Sequence, residues 1–172
     1  MTLCVRPLDR QQPAELDWVA QGMRATLIEV EGEETGTALY TLDWLRERAR
    51  WHLDNSEVPA DVLLALDDRD EILGHTILRR ESDGQLPAFG LVSTTFVHAS
   101  ARRRGVAQAL LQAGEAWVRA QGLRHCATWT SSTNTPLIQL YTRQGYAQVM
   151  THRHETTGTL MVKLQRTLEP TP

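Results

Sequence analysis

Apolar positions along this chain alternate between two spacings. A short β run from Leu3 closes at Pro7. From Pro13 to Leu27 the apolar residues Leu16, Val19, Ala20, Met23 and Leu27 recur at helical spacing and predict an amphipathic helix. The glutamate-rich stretch from Val30 to Ala38, with two glycines, predicts a loop. A second helix is predicted over Thr41 to Asp54, with Leu42, Leu45, Ala49 and Leu53 as its stripe and Thr41 as its N-cap. The pattern then turns to strands. Val62–Leu66 and Ile72–Arg80 flank the polar turn Asp67–Asp70 and read as a hairpin, and Phe89–Val97 follows the turn at Ser82–Gly84. A helix begins after Gly105 and stops at Gly122. A strand over Leu123–Thr130, a helix opening at Thr135–Pro136 and ending at Gly145, and a closing hairpin (Tyr146–Met150 with Thr159–Leu168) complete the chain.

This order predicts an α+β, or mixed α/β, fold. Its central sheet is mostly antiparallel, flanked by about four helices, with one parallel step where the strand before Gly105 and the strand after Gly122 enclose a helix. At such a step neighbouring strands splay, and a crevice at the strand ends suits a ligand.

Composition narrows the class. The chain has 172 residues, 41% hydrophobic and 23% charged, with a formal net charge of -3. That fits one ordinary globular domain, placed at residues 1–168, with residues 169–172 as a disordered tail. A phosphate-tracking nucleic-acid binder would carry a broad basic face, which this balance does not favour. No apolar run is long enough to span a bilayer and no signal core opens the chain, so a cytoplasmic protein without membrane partners is expected. The two cysteines, Cys4 and Cys126, lie at no disulfide or zinc spacing, and no metal site is expected.

The chemistry-bearing stretch runs from Leu91 to Gln121. A β-branched run leads into a turn, then Arg102, Arg103, Arg104, Gly105, Val106 and Ala107 open a helix. A helix start presents unpaired N–H groups and a partial positive charge. Glycine there permits close backbone approach, and arginine adds forked donors for phosphate oxygens. A phosphate or pyrophosphate is the simplest ligand. The same residues also read as a solvated arginine face beside a plain turn glycine. Further on, Asn134 precedes a helix that carries Tyr141 and closes at Gly145-Tyr146. Asn134 reads equally as a cap, and Tyr141 as a core aromatic.

Together the two stretches resemble the GNAT superfamily of acetyl-CoA-dependent N-acetyltransferases. Arg102-Arg103-Arg104-Gly105-Val106-Ala107 is similar to its Arg/Gln-x-x-Gly-x-Gly/Ala loop. Asn134 and Leu140-Tyr141-Thr142-Arg143-Gln144-Gly145-Tyr146 are similar to its downstream asparagine and Leu-Tyr-x-x-x-Gly-Phe/Tyr helix. Ala99 departs from the proline frequent in the family. The resemblance implies a GNAT-like fold and acetyl-CoA as co-substrate. It implies that the backbone of Phe96 and Val97 pairs with the pantetheine arm and that amides from Arg103 to Ala107 hold the pyrophosphate. Arg102 and its neighbours would add charge, Asn134 would contact the arm, and Tyr141 would lie near the thioester sulfur as the catalytic residue. The implied acceptor is a primary amine of a small molecule or peptide, attacking directly in a ternary complex. A homodimer is compatible with the family, and a non-catalytic acyl-CoA-binding sensor is the alternative.

The attacking amine must be neutral. At pH 7 that costs roughly 4.6 kcal/mol for a lysine-like amine and about 1.4 for an α-amine. Many family members carry a glutamate on the central strand, but Leu91–Val97 holds no carboxylate, so no general base is assigned. His98 reads either as a group titrating near neutrality or as a surface turn residue. Glu29, Glu31, Glu33 and Glu34 would attract a cationic amine or form a solvated acidic loop. His152 and His154 are expected at the surface.

Overall fold

The computed structural model describes residues 2–84 and 87–170. Its elements run in the order β1 (Cys4–Pro7), α1 (Pro13–Glu31), α2 (Glu33–Leu39), α3 (Leu42–Asp54), β2 (Ala60–Leu66), β3 (Ile72–Glu81), β4 (Phe89–Val97), α4 (Val106–Ala120), β5 (His125–Ser131), α5 (Thr135–Arg143), β6 (Ala147–Arg153) and β7 (Leu160–Thr167). The strands form one sheet in the order β1-β2-β3-β4-β5-β7-β6. Every neighbouring pair is antiparallel except β4 with β5. The mixed α/β fold with a single parallel step is therefore the one expected.

Period-two side chains give the sheet two distinct faces. Val62, Leu64, Leu66 and Ile77 pack under Val19, Ala20 and Met23 of α1 and Leu45, Ala49 and Leu53 of α3. Leu63, Leu78, Val92, Cys126 and Leu164 pack on the opposite face with Leu111 and Val118 of α4 and Tyr141 of α5. Thr41 caps α3 as expected, its hydroxyl accepting from Trp44 N at 3.0 Å.

Two elements differ from the sequence reading. The stretch expected as a loop from Val30 to Ala38 is helical: α1 runs one turn further, and α2 follows after Gly32. This makes five α-helices among the described residues where about four were expected. Gly36 explains the extra helix, since a β-carbon there would sit 2.6 Å from Cα of Ile28. The close backbone contact with α1 is a tertiary effect with no local signature. The closing hairpin forms, but β7 inserts between β5 and β6 and leaves β6 as an exposed edge. Of the expected tail, residues 171–172 lie outside the described residues. Leu168 is buried, and the Glu169 carbonyl accepts from Arg119 Nε at 2.9 Å.

Candidate active site

The parallel step opens the site. β4 and β5 pair only through Gly90–Cys126, Leu91–Ala127 and Val92–Thr128, although β4 runs on to Val97 and β5 to Ser131. Thr128 Oγ1 donates to Val92 O at 2.8 Å and closes the last rung. The register on β3 slips at the same level, from Leu78–Val92 to Ile77–Thr94, so Ser93 is a bulge. Bulges re-aim a strand and end its pairing. Beyond Ser93 the strands part.

The free edge of β4 follows from alternation. His98 N–H donates to Leu73 O at 2.8 Å, which turns residue 98 toward β3. Phe96, two residues back, then gives its peptide groups to the same ladder, and Thr95 and Val97 turn theirs into the gap. The free edge is thus formed by Thr95 and Val97, while the Phe96 ring packs against Trp18 of α1 and His75.

After β4 the chain makes one turn of 3₁₀ helix, Ala99–Ala101. His98 caps it, its Nδ1 accepting from Ser100 N at 3.3 Å, which answers the sequence question with a turn residue at the surface. Arg103 (φ 62°) and Gly105 (φ 79°) are both left-handed, and Gly105 is the N-cap of α4. The first helical bond runs from Ala109 N to Gly105 O at 2.9 Å, and no side chain caps the helix. The opening amides of α4 thus lack intrahelical acceptors at the positive end of a 15-residue helix.

These elements enclose a cleft of about 790 Å³. Phe96, Val97, Arg102, Arg103, Gly105, Val106, Ala107 and Asn134, all expected ligand-binding residues, line it. Arg104 is exposed and lies outside the lining. Asn134 also caps α5, its Oδ1 accepting from Leu137 N at 3.4 Å and its Nδ2 donating to Thr130 Oγ1 at 3.2 Å. Arg102 Nε donates to Val97 O at 3.0 Å, and its guanidinium pairs with Glu29 of α1. Sequence reasoning did not place Thr26, Arg143 and Leu140 at the cleft, because helix α1 and the outer side of α5 meet the gap only in three dimensions.

Tyr141 does not line the cleft. It is 2% exposed, its ring meeting Tyr146 edge-on at 4.7 Å. Burial pushes its phenol well above the usual tyrosine range, and the hydroxyls of Thr128 and Thr95 oppose the rise. Thr95 belongs to the free edge, so the phenol sits behind the gap as a protonated donor. His152 is exposed at the strand edge, while His154 accepts from Thr156 N and Thr157 N in the turn after β6. Among the described residues no three metal-ligating side chains gather, and no helix is long and apolar enough to cross a membrane.

Comparison with known proteins places this geometry in a family. Residues 12–146 match the acetyltransferase (GNAT) family, and the chain belongs to that family. The mycothiol acetyltransferase of Arthrobacter sp. (strain FB24) is 35% identical over 91 residues, covering 52% of this chain and 28% of the relative. That of Actinosynnema mirum is 28% identical over 156 residues, covering 76% of this chain and 51% of the relative. The chain thus spans between about a quarter and about half of the length of these relatives. YncA from Salmonella typhimurium, solved with its cofactor acetyl-CoA, superimposes with a TM-score of 0.71 at 16% identity over 97% of this chain and 94% of that one, which speaks for the fold.

Proposed function

We propose that this chain transfers the acetyl group of acetyl-CoA to a primary amine of a small molecule or peptide, by direct attack in a ternary complex, and that residues 1–168 act as one acetyltransferase domain. The observation that carries the reading is the uncapped start of α4 at the left-handed Gly105, opening on a cleft that begins where β4 and β5 part. Amides without acceptors at a helix N-terminus suit a diphosphate, and among the described residues Arg103 and Arg143 on the lining have no ion pair to give up. The gap-facing peptide groups of Thr95 and the N–H of Val97 suit an amide-bearing arm laid down as an added strand, the Val97 carbonyl being held by Arg102.

The chemistry then needs few groups. The amine nitrogen attacks the thioester carbonyl, the C–S bond breaks, and the thiolate leaves with its electron pair while the amine sheds a proton to solvent. A gap-facing N–H, that of Val97 or Thr95, stabilises the oxyanion. Tyr141, buried behind the gap, acts on the departing sulfur through Thr95 on the cleft wall rather than by direct contact. Its raised pKa makes hydrogen bonding its contribution rather than full proton transfer.

One observation favours the second reading, an acyl-CoA-binding module without turnover: β4 from Leu91 to Val97 carries no carboxylate to take the amine's proton. CoA release measured across a panel of amines and peptides separates the two. Release above the hydrolytic background supports transfer. Saturable acetyl-CoA binding without release to any amine supports the binding module.

A further inference from the structure

The cofactor cleft lies between the starts of α4 and α5 and reaches Thr26, Glu29 and Val30 near the end of α1. The α1–α3 face of the sheet at the root of the same gap carries a polar cluster that the acetyl-transfer reading leaves unused. Arg79 of β3 lies on the α1–α3 face, in line with Ile77 and two residues before Glu81. Its Nη1 donates to Ser93 Oγ at 3.1 Å and to His52 Nε2 at 3.2 Å, and its Nε donates to Glu81 Oε1 at 2.7 Å. Ser93 is the bulged residue immediately beyond the last β4–β5 rung. Arg79 is thereby anchored where the strands begin to part.

His52 adds no charge to the cluster. Its Nδ1 lies 2.9 Å from the Arg48 carbonyl, which can only accept, so Nδ1 carries the hydrogen and Nε2 is the bare acceptor for Arg79. The ring is 2% exposed, and burial favours this neutral form.

Arg48, one turn earlier on α3, stacks its guanidinium 4.7 Å above the Trp51 ring. It is half-buried, and Arg79 repels it. Among the described residues nothing accepts a hydrogen bond from Arg48, and Arg79 Nη2 has no partner either. Arg79 is matched by Glu81, and among the described residues the half-buried Arg48 charge is left without a paired carboxylate. Charges so placed are ordinarily paired. A monoanion completes the balance, whereas a phosphate dianion would overshoot it. The planar fork of arginine fits a carboxylate edge.

The position says what would carry that carboxylate. The diphosphate end of the cleft lies at α4 and α5, and the same cleft also opens along α1, where Thr26, Glu29 and Val30 line it. An amine has a route to the gap from the α1 side. A hydrogen bond from Thr159 Oγ1 to Glu31 Oε1, 2.7 Å, joins the end of α1 to the β6–β7 turn.

We infer that Arg48 and Arg79 hold a carboxylate of the acceptor, so that the substrate is an amine that also bears a carboxylate group. The inference rests on the acetyl-transfer reading of the site. It is tested on CoA-saturated protein by calorimetric titration with the common L-amino acids and with their carboxamides. Binding of at least one acid about tenfold or more tighter than its amide is expected, since a charge-assisted bidentate pair is lost in the amide. Arg48→Gln, a helix-compatible change at a partly exposed position, is expected to abolish the preference while leaving the CoA-induced rise in melting temperature intact. Arg79→Gln is expected to do the same. Equal binding of acids and amides, no binding of either, or a preference that survives Arg48→Gln would each overturn the inference with CoA binding still standing. Failure of CoA itself to bind would instead remove the underlying reading and this inference with it.

Discussion

Arg102 holds Glu29 and the carbonyl of Val97 at once, its Nε lying 3.0 Å from that oxygen. One side chain from the phosphate loop thus ties the end of β4 to α1 across the cleft. Both partners are about half exposed, with side-chain accessibilities of 43% and 51%. Such a pair is worth only ~0.2–1 kcal/mol.

The weakness of that pair leads to a first prediction. An incoming pyrophosphate competes with Glu29 for Arg102, and Glu29 also repels it. Replacing Glu29 with Gln should leave the melting temperature nearly unchanged and tighten acetyl-CoA binding by about 1.4- to fivefold, the span that 0.2–1 kcal/mol converts to. Isothermal titration of both proteins reads it. Weaker binding in the variant would mean that Glu29 helps seat the ligand rather than competing with it.

Gly105 is required for conformation, not for space. Its φ is +79°, and a β-carbon there would meet nothing within 4 Å. Gly105→Ala should therefore cost about 1–2 kcal/mol from the left-handed backbone alone. Gly105→Glu adds a carboxylate at the amides meant for the diphosphate, and should abolish the acetyl-CoA-induced rise in melting temperature. A full rise in that variant would show that the diphosphate sits elsewhere.

What was legible in the sequence follows from which forces are local. Phe89–Val97 and the helix after Gly105 carry their own periodicity and punctuation, and both appear at the expected residues. The loop at Arg102–Ala107 and the cap at Asn134 were legible because glycine, arginine and asparagine act there through their own backbone preferences. α2 was not, because Glu33–Leu39 has no apolar stripe and is held by the approach of Gly36 to Ile28. The Arg79–His52–Ser93 cluster was equally hidden: its members lie far apart in the chain and meet only across α3, β3 and β4. Tyr141 stood in sequence as either a core aromatic or a site residue, and the structure buries its ring while its hydroxyl interacts with Thr95.

That dual placement of Tyr141 makes its removal informative. Tyr141→Phe keeps the ring packed on Tyr146 and deletes only the hydroxyl. Stability should fall by roughly 1 kcal/mol, the usual worth of one such hydrogen bond. Turnover should fall further, by about tenfold to a hundredfold, with little change in acetyl-CoA affinity. Steady-state kinetics beside equilibrium binding separate the two effects, and full turnover in the variant would leave Tyr141 as a core residue alone.

His75 sets the acid limit of the fold. It is fully buried on β3, against Trp18 and Phe96, and both ring nitrogens lack a partner. Gly22 of α1 presses on it so closely that a β-carbon there would lie 2.9 Å from the ring. Burial alone lowers its pKa to about 3. The folded state therefore binds fewer protons than the unfolded state between about pH 3 and 6.5, and stability rises with pH through that window. The contribution is fully present above pH 6.5 and is lost on acidification, on the order of 3 kcal/mol by pH 4.5. His52, lowered to about 4 mainly by burial, acts in the same direction. Urea unfolding at pH 7 and pH 4.5 should show the loss. His75→Leu should shrink it, without loss of stability at pH 7, because two unpartnered nitrogens leave the core. An unchanged pH dependence in that variant would show that His75 is not the group that takes up the proton.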